Sequence, residues 1–173
     1  MDMKSDITLK GPIWAETLDQ LRNTVFETYW DIYALCVSIG MMYDAQIDSD
    51  DMVPEGYDEE PKNIPRSILN QAKNRALIEF MVQAALVTTK HLDLSEDERL
   101  ETAFEPNAAA TFKPIPFLTK FANYGITKLH EVVYDTEGVE TLESLMVYLN
   151  STFEAGVDTM KETLEDLDDS DLE

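Results

Sequence analysis

Cysteine is almost absent from this sequence: Cys36 is the only one in 173 residues. A single thiol closes no internal disulfide, so the fold must rest on a packed core. The count also suits a reducing compartment, and the cytoplasm is the expected location. Histidine is nearly as scarce. His91 and His130 lie far apart, and with one cysteine they do not complete the four ligands of a zinc centre. The six glycines are scattered, which leaves no glycine-rich loop to cradle a phosphate. Long apolar runs are missing too. Stretches such as Ala84 to Val87 fall far short of the roughly 20 residues a spanning helix needs, so no membrane contact is expected. The first ten residues lack the apolar core of a cleavable signal, so export is not expected either.

Bases are outnumbered: 13 Lys and Arg stand against 35 Asp and Glu, a formal charge of −22. Such a field repels polyanions, which argues against direct contact with DNA, RNA or anionic lipid. It favours a basic protein partner, high solubility, or both. The acids are unevenly spread. Residues 44–60 hold eight acids and no base, whereas 61–90 holds five bases and one acid, and 106–130 three bases and no acid. Basic helix surfaces pairing with the acidic segments inside the fold would explain this. So would two faces of opposite sign, one of which docks a partner.

What the chain does have is helical period. Trp14, Leu18, Leu21 and Val25 follow Gly11-Pro12, a proline suited to a first helical turn. Thr28 and Asp31 sit at capping-box spacing before Tyr29, Ile32, Tyr33, Cys36, Val37 and Ile39, with Gly40 near the end. Spacing alone leaves open whether these are two helices or one. Residues 44–60 read as an exposed acidic loop. Pro65 is placed to start a helix that keeps a 3–4 spacing from Ile68 through Leu77 and Phe80 to Ala85. Ser95 and Glu98 form a capping box for a short helix through Phe104. A loop with Pro106, Pro114 and Pro116 is expected next, then a helix carried by Phe117, Leu118, Phe121, Ala122, Ile126 and Leu129. Gly125 inside it marks a close contact or a break. The last helix runs from Leu142 to Leu167 in steps of three and four. No stretch alternates as a strand would. The expected fold is all-α, a single compact bundle of five to seven helices, with a helical domain over 1–157 and an acidic helix end or tail over 158–173.

Tests for chemistry find little. Asp44 to Glu55 has the length of a calcium loop, but Gln46 and Ser49 stand where a ligand and the turn glycine belong. Cys36 falls on the apolar face of a helix, which suits a buried structural thiol. Carboxylates are so abundant that no pair stands out as an acid–base dyad. Trp14, Phe26, Tyr29, Trp30 and Tyr33 cluster, yet Glu27 and Asp31 stand where a nucleotide site needs bases, so a core or protein interface is the better account. No catalytic residue, metal or cofactor is therefore expected.

The segment from Phe26-Glu-Thr-Tyr-Trp to Ile39-Gly40, with Phe121-Ala-Asn-Tyr-Gly125 and Leu129 downstream, resembles small accessory proteins encoded beside bacterial DNA-phosphorothioation (Dnd) defence systems. Those proteins carry an aromatic-Ala-Asn-Gly-Gly segment, so Tyr124 here replaces a glycine. The matched positions are a minor part of the chain and include no catalytic motif. The resemblance implies a helical accessory protein in a DNA-modification or phage-defence setting.

The expectation is thus a non-catalytic accessory or adaptor subunit that docks a basic, nucleic-acid-handling protein. The candidate docking acids are Asp44, Asp48, Asp50, Asp51 and Glu55 in the loop, with Asp158, Glu162, Glu165, Asp166 and Asp169 near the C-terminus. Homodimerisation through the C-terminal helix is a further possibility. The alternatives are a DNA mimic whose carboxylates stand in for phosphates, an unrecognised enzyme, and a merely salt-adapted surface.

Overall fold

The structure, a computed structural model, describes residues 3–92, 94–104, 112–134 and 141–152. Gly11 precedes the first helix with φ 99°, a left-handed conformation that side chains resist, and Pro12 supplies the preset φ of the first turn. Helix α1 (Pro12–Thr24) buries Trp14, Leu18 and Leu21. It stops at Val25, and the chain restarts at Thr28, so the two amphipathic stretches are separate helices. The Thr28 hydroxyl accepts the Asp31 N–H at 3.2 Å and donates to the Asp31 carboxylate at 2.6 Å. Asp is one methylene shorter than the usual Glu, and it takes the hydroxyl proton rather than the backbone N–H of the cap.

Helix α2 (Tyr29–Met42) follows, and beyond the acidic segment come α3 (Arg66–Leu69) and α4 (Ala72–Thr88). The unbroken spacing from Ile68 to Ala85 predicts one helix there. The structure interrupts it at Asn70-Gln71, because the Asn70 amide turns to pair with both main-chain groups of Met3, at 2.8 and 2.9 Å. Helix α5 (Glu96–Phe104) opens on the expected box. Glu98 accepts the Ser95 N–H at 2.9 Å, and the Ser95 hydroxyl accepts the Glu98 N–H at 3.3 Å. The Ser95 N–H and, at 2.7 Å, the Ser95 hydroxyl both donate to the Glu98 carboxylate and hold its pKa below the ordinary value. Helix α6 (Pro114–Tyr134) begins earlier than the sequence suggests: Pro114 and Pro116 belong to its first turn, where a missing N–H costs no bond. Residues 141–152 form α7. The rest of the expected last helix, and the expected boundary at 157/158, lie outside the described residues.

Helix dominates, as expected, with seven helical segments among the described residues. The expectation of no strand needs correction. Strands β1 (Ile7–Leu9) and β2 (Lys62–Ile64) pair antiparallel, Ile7 with Ile64 and Leu9 with Lys62. Three residues are too few for alternation to stand out, although Ile7 and Leu9 do point inward while Thr8 is exposed.

The chain divides into two units, Met1–His130 and Glu131–Glu173. The described part of the second is the end of α6 and α7. The core of the first joins Trp14 and Leu18, Ile32 and Tyr33, Ile78 and Leu86, and Leu118, Phe121 and Ile126, all fully buried. The Trp14 and Tyr33 rings stack at 6.5 Å, and Phe117 meets Phe121 edge-on at 5.4 Å. Helices α2 and α6 touch backbone to backbone. A Cβ on Gly40 would lie 2.1 Å from the Phe121 carbonyl oxygen, and one on Gly125 would lie 2.0 Å from that of Cys36. Gly125 therefore marks a close contact and not a break.

Candidate functional site

The acidic segment after α2 is an ordered strap on the first unit. It leaves the helix through Asp44, whose φ of 44° turns the chain. The Asp44 carboxylate accepts from the Thr89 hydroxyl at 2.6 Å and from the Lys90 N–H at 3.0 Å, and its carbonyl meets His91 Nε2. Partial burial works to raise the Asp44 pKa. The two hydrogen bonds and the nearby His91 and Lys90 outweigh it and hold the carboxyl below its usual 3.8. Asp44 is thus an internal staple, and the loop it holds after α4 is tied a second time by Arg99, whose guanidinium donates to the carbonyls of Thr89, Leu92 and Leu94.

Beyond Asp44 the segment lies on α6. The Ile47 N–H donates to the Lys120 carbonyl at 3.0 Å. Asn123, only 2% exposed, donates to the Ile47 carbonyl at 3.0 Å and to the Ser49 hydroxyl at 3.2 Å. Its Oδ1 accepts the indole N–H of Trp14 at 2.9 Å. One buried amide therefore joins α1, α6 and the acidic segment. Met52 is buried, and its carbonyl lies where a Cβ on Gly11 would fall. The expectation of an exposed loop holds for the acids other than Asp44, whereas the chain at Ile47, Ser49 and Met52 is held in the fold.

These anchors fix what the surface presents. Asp48, Asp50, Asp51 and Glu55 are exposed, and Asp48 pairs with Lys120 at 2.6 Å. The other candidate acids, Asp158, Glu162, Glu165, Asp166 and Asp169, lie outside the described residues. An open groove of about 670 Å³ runs beside the strap. Its lining includes Ile7 and Thr8 of β1, Asp48, Asp50 and Asp51 of the strap, and Thr119 and Lys120 of α6.

Two features escaped the sequence reading. The first is Asn123, which carries no charge and sits on an apolar helix. Only the Phe-Ala-Asn-Tyr-Gly segment pointed toward it, without assigning a role. The second is the outer side of α4. Leu77 and Phe80 fall in the apolar period, yet Phe80 is 65% exposed while Ile78, Met81 and Leu86 are buried. The helix is apolar on more than one side, and Phe104 on α5 is 60% exposed as well.

The remaining reactive types are built into the frame. Cys36 is fully buried, and burial pushes its thiol well above the usual value, so it carries no thiolate at neutral pH. The Tyr33 phenol is buried against the Thr119 hydroxyl at 3.1 Å, and desolvation raises its pKa. His130 meets Glu16 at 3.2 Å, tying α6 to α1. Among the described residues no three His, Cys, Asp or Glu side chains converge as a metal ion requires, and no helix is long and apolar enough to cross a membrane.

No protein-family model, curated protein or solved structure matches the chain.

Proposed function

We propose that this chain is an acidic interaction protein without a reaction of its own, an accessory or adaptor subunit that docks a basic, nucleic-acid-handling protein. The carrying observation is the strap. Asp48, Asp50 and Asp51 are displayed on main chain that Asn123, Lys120 and Met52 hold against the core, and exposed Glu55 follows them. A floppy acidic loop would lose conformational entropy on binding, whereas an anchored one presents its charges already placed. Complementary charge then speeds encounter and selects a basic surface. The resemblance to Dnd-locus accessory proteins supplies the setting, DNA modification or phage defence.

The test is co-purification with the DNA-handling proteins encoded beside its gene, using the wild type and an Asp50→Asn, Asp51→Asn, Glu55→Gln variant. A complex with one basic neighbour, lost in the variant, is the expected result. Adding duplex DNA separates the adaptor from a mimic: an adaptor's partner still binds DNA, whereas a mimic is displaced by it. Equal complexes for wild type and variant, or no complex with any neighbour, would overturn the reading.

A further inference from the structure

The groove beside the strap has a main-chain wall as well as an acidic one. In the β1–β2 ladder, Ile7 faces Ile64 and the residue after Ile64 is Pro65, which has no N–H. Ile7–Ile64 and Leu9–Lys62 must therefore be the pairs that exchange hydrogen bonds, since antiparallel pairs alternate. That alternation turns the N–H and C=O of Thr8 away from β2, toward the other edge of β1. No third strand covers that edge among the described residues, and Ser5, Asp6, Ile7, Thr8 and Lys10 of this stretch line the groove. Native proteins cover or blunt such edges, because an open one is a template for pairing.

The same groove is lined by Asp48, Asp50 and Asp51. Asp48 is matched by Lys120, and Asp6 accepts the Arg66 N–H at 2.8 Å. The side chains of Asp50 and Asp51 are exposed and carry no ion pair among the described residues. The lining holds four carboxylates against two lysines, Lys10 and Lys120, so the groove favours positive charge. At about 670 Å³ it lies within the usual range of ligand clefts, roughly 300–1,000 Å³.

We propose that this groove takes an extended, lysine- or arginine-bearing segment of a partner protein as a third strand on β1. Main-chain hydrogen bonds to Thr8 supply the register, and alternate basic side chains of the segment reach Asp50 and Asp51. The inference rests on the adaptor reading and specifies how the basic partner is held.

The probe is a fluorescein-labelled peptide of alternating lysine and valine, followed by anisotropy at low salt against the full chain. A second peptide of the same sequence is N-methylated at every residue, which removes the donors of both its edges and leaves its charge. Thr8→Pro removes the outward N–H without touching the β2 ladder, and Asp50→Asn with Asp51→Asn removes the charge. The expected result is binding of the unmodified peptide, weakened at least tenfold by N-methylation, by Thr8→Pro and by the charge variant. The N-methylated peptide keeps the test sharp if the proline variant does not fold. Binding that ignores N-methylation and Thr8→Pro yet falls with the charge variant would overturn strand addition while leaving the acidic docking surface intact. No binding of the unmodified peptide would also overturn it, whereas the adaptor reading stands or falls separately on the co-purified complex.

Discussion

Asn123 shows how much one side chain organises here. Replacing it with Ala leaves the Trp14 indole N–H buried without an acceptor and cuts both bonds to the strap. The expected cost is about 1–3 kcal/mol, read from denaturant unfolding. Amide exchange at Ile47 should also quicken, because the strap loses its anchor. Asp44 gives a pH signature. Its carboxyl is depressed below 3.8 in the folded chain, so its contribution is present above that value and lost as pH falls through the folded pKa. Asp44→Asn tolerates the left-handed backbone but lacks the charge. The variant should be less stable at neutral pH, and the gap should close as pH drops below 3.8; a gap independent of pH would refute the linkage. Neither role was legible in the sequence. Asp44 counted there as one loop acid among eight, since nothing local reveals that Thr89 and Lys90, 45 and 46 residues away, supply its partners.

At the scale of elements, the crossing of α2 and α6 is the most constrained feature. Gly40→Ala or Gly125→Ala drives a methyl into a main-chain carbonyl that cannot step aside. Each should destabilise by about 3 kcal/mol or more in a denaturant melt, at the upper end of overpacking costs. Gly56→Ala is the control. No atom lies within 4 Å of its would-be Cβ, and only its φ of 83° resists, which should cost about 1 kcal/mol. Gly40 and Gly125 fix the packing of α2 on α6, and Asn123 fixes the strap. Most helices were legible because apolar residues recur at three and four, and caps such as Ser95 with Glu98 mark their starts. The misses were long-range effects. Met3 captures Asn70 and breaks a continuous period, and β1 finds β2 across more than fifty residues. The exposure of Phe80 was illegible for a related reason: period shows that a helix has an apolar side and not which neighbours cover it.

At the scale of the whole molecule the proposal turns on charge. With −22 spread over 173 residues, no duplex DNA should be retained in a gel shift at about 150 mM salt, because few phosphate contacts are available to release counterions. Retention that is lost on neutralising Lys73 or Lys120 would contradict this. The central claim is narrower: the anchored acids of the strap, and not the overall negative field, bind the partner. Calorimetric titration of the basic neighbour-encoded protein tests it directly, comparing two variants of equal net charge. One carries Asp50→Asn, Asp51→Asn and Glu55→Gln; the other carries Glu96→Gln, Asp97→Asn and Glu101→Gln on exposed positions of α5. The strap variant should bind at least tenfold more weakly than wild type, about 1.4 kcal/mol, while the α5 variant stays within twofold. Equal weakening in both variants would mean that net charge alone is recognised, and would contradict the account.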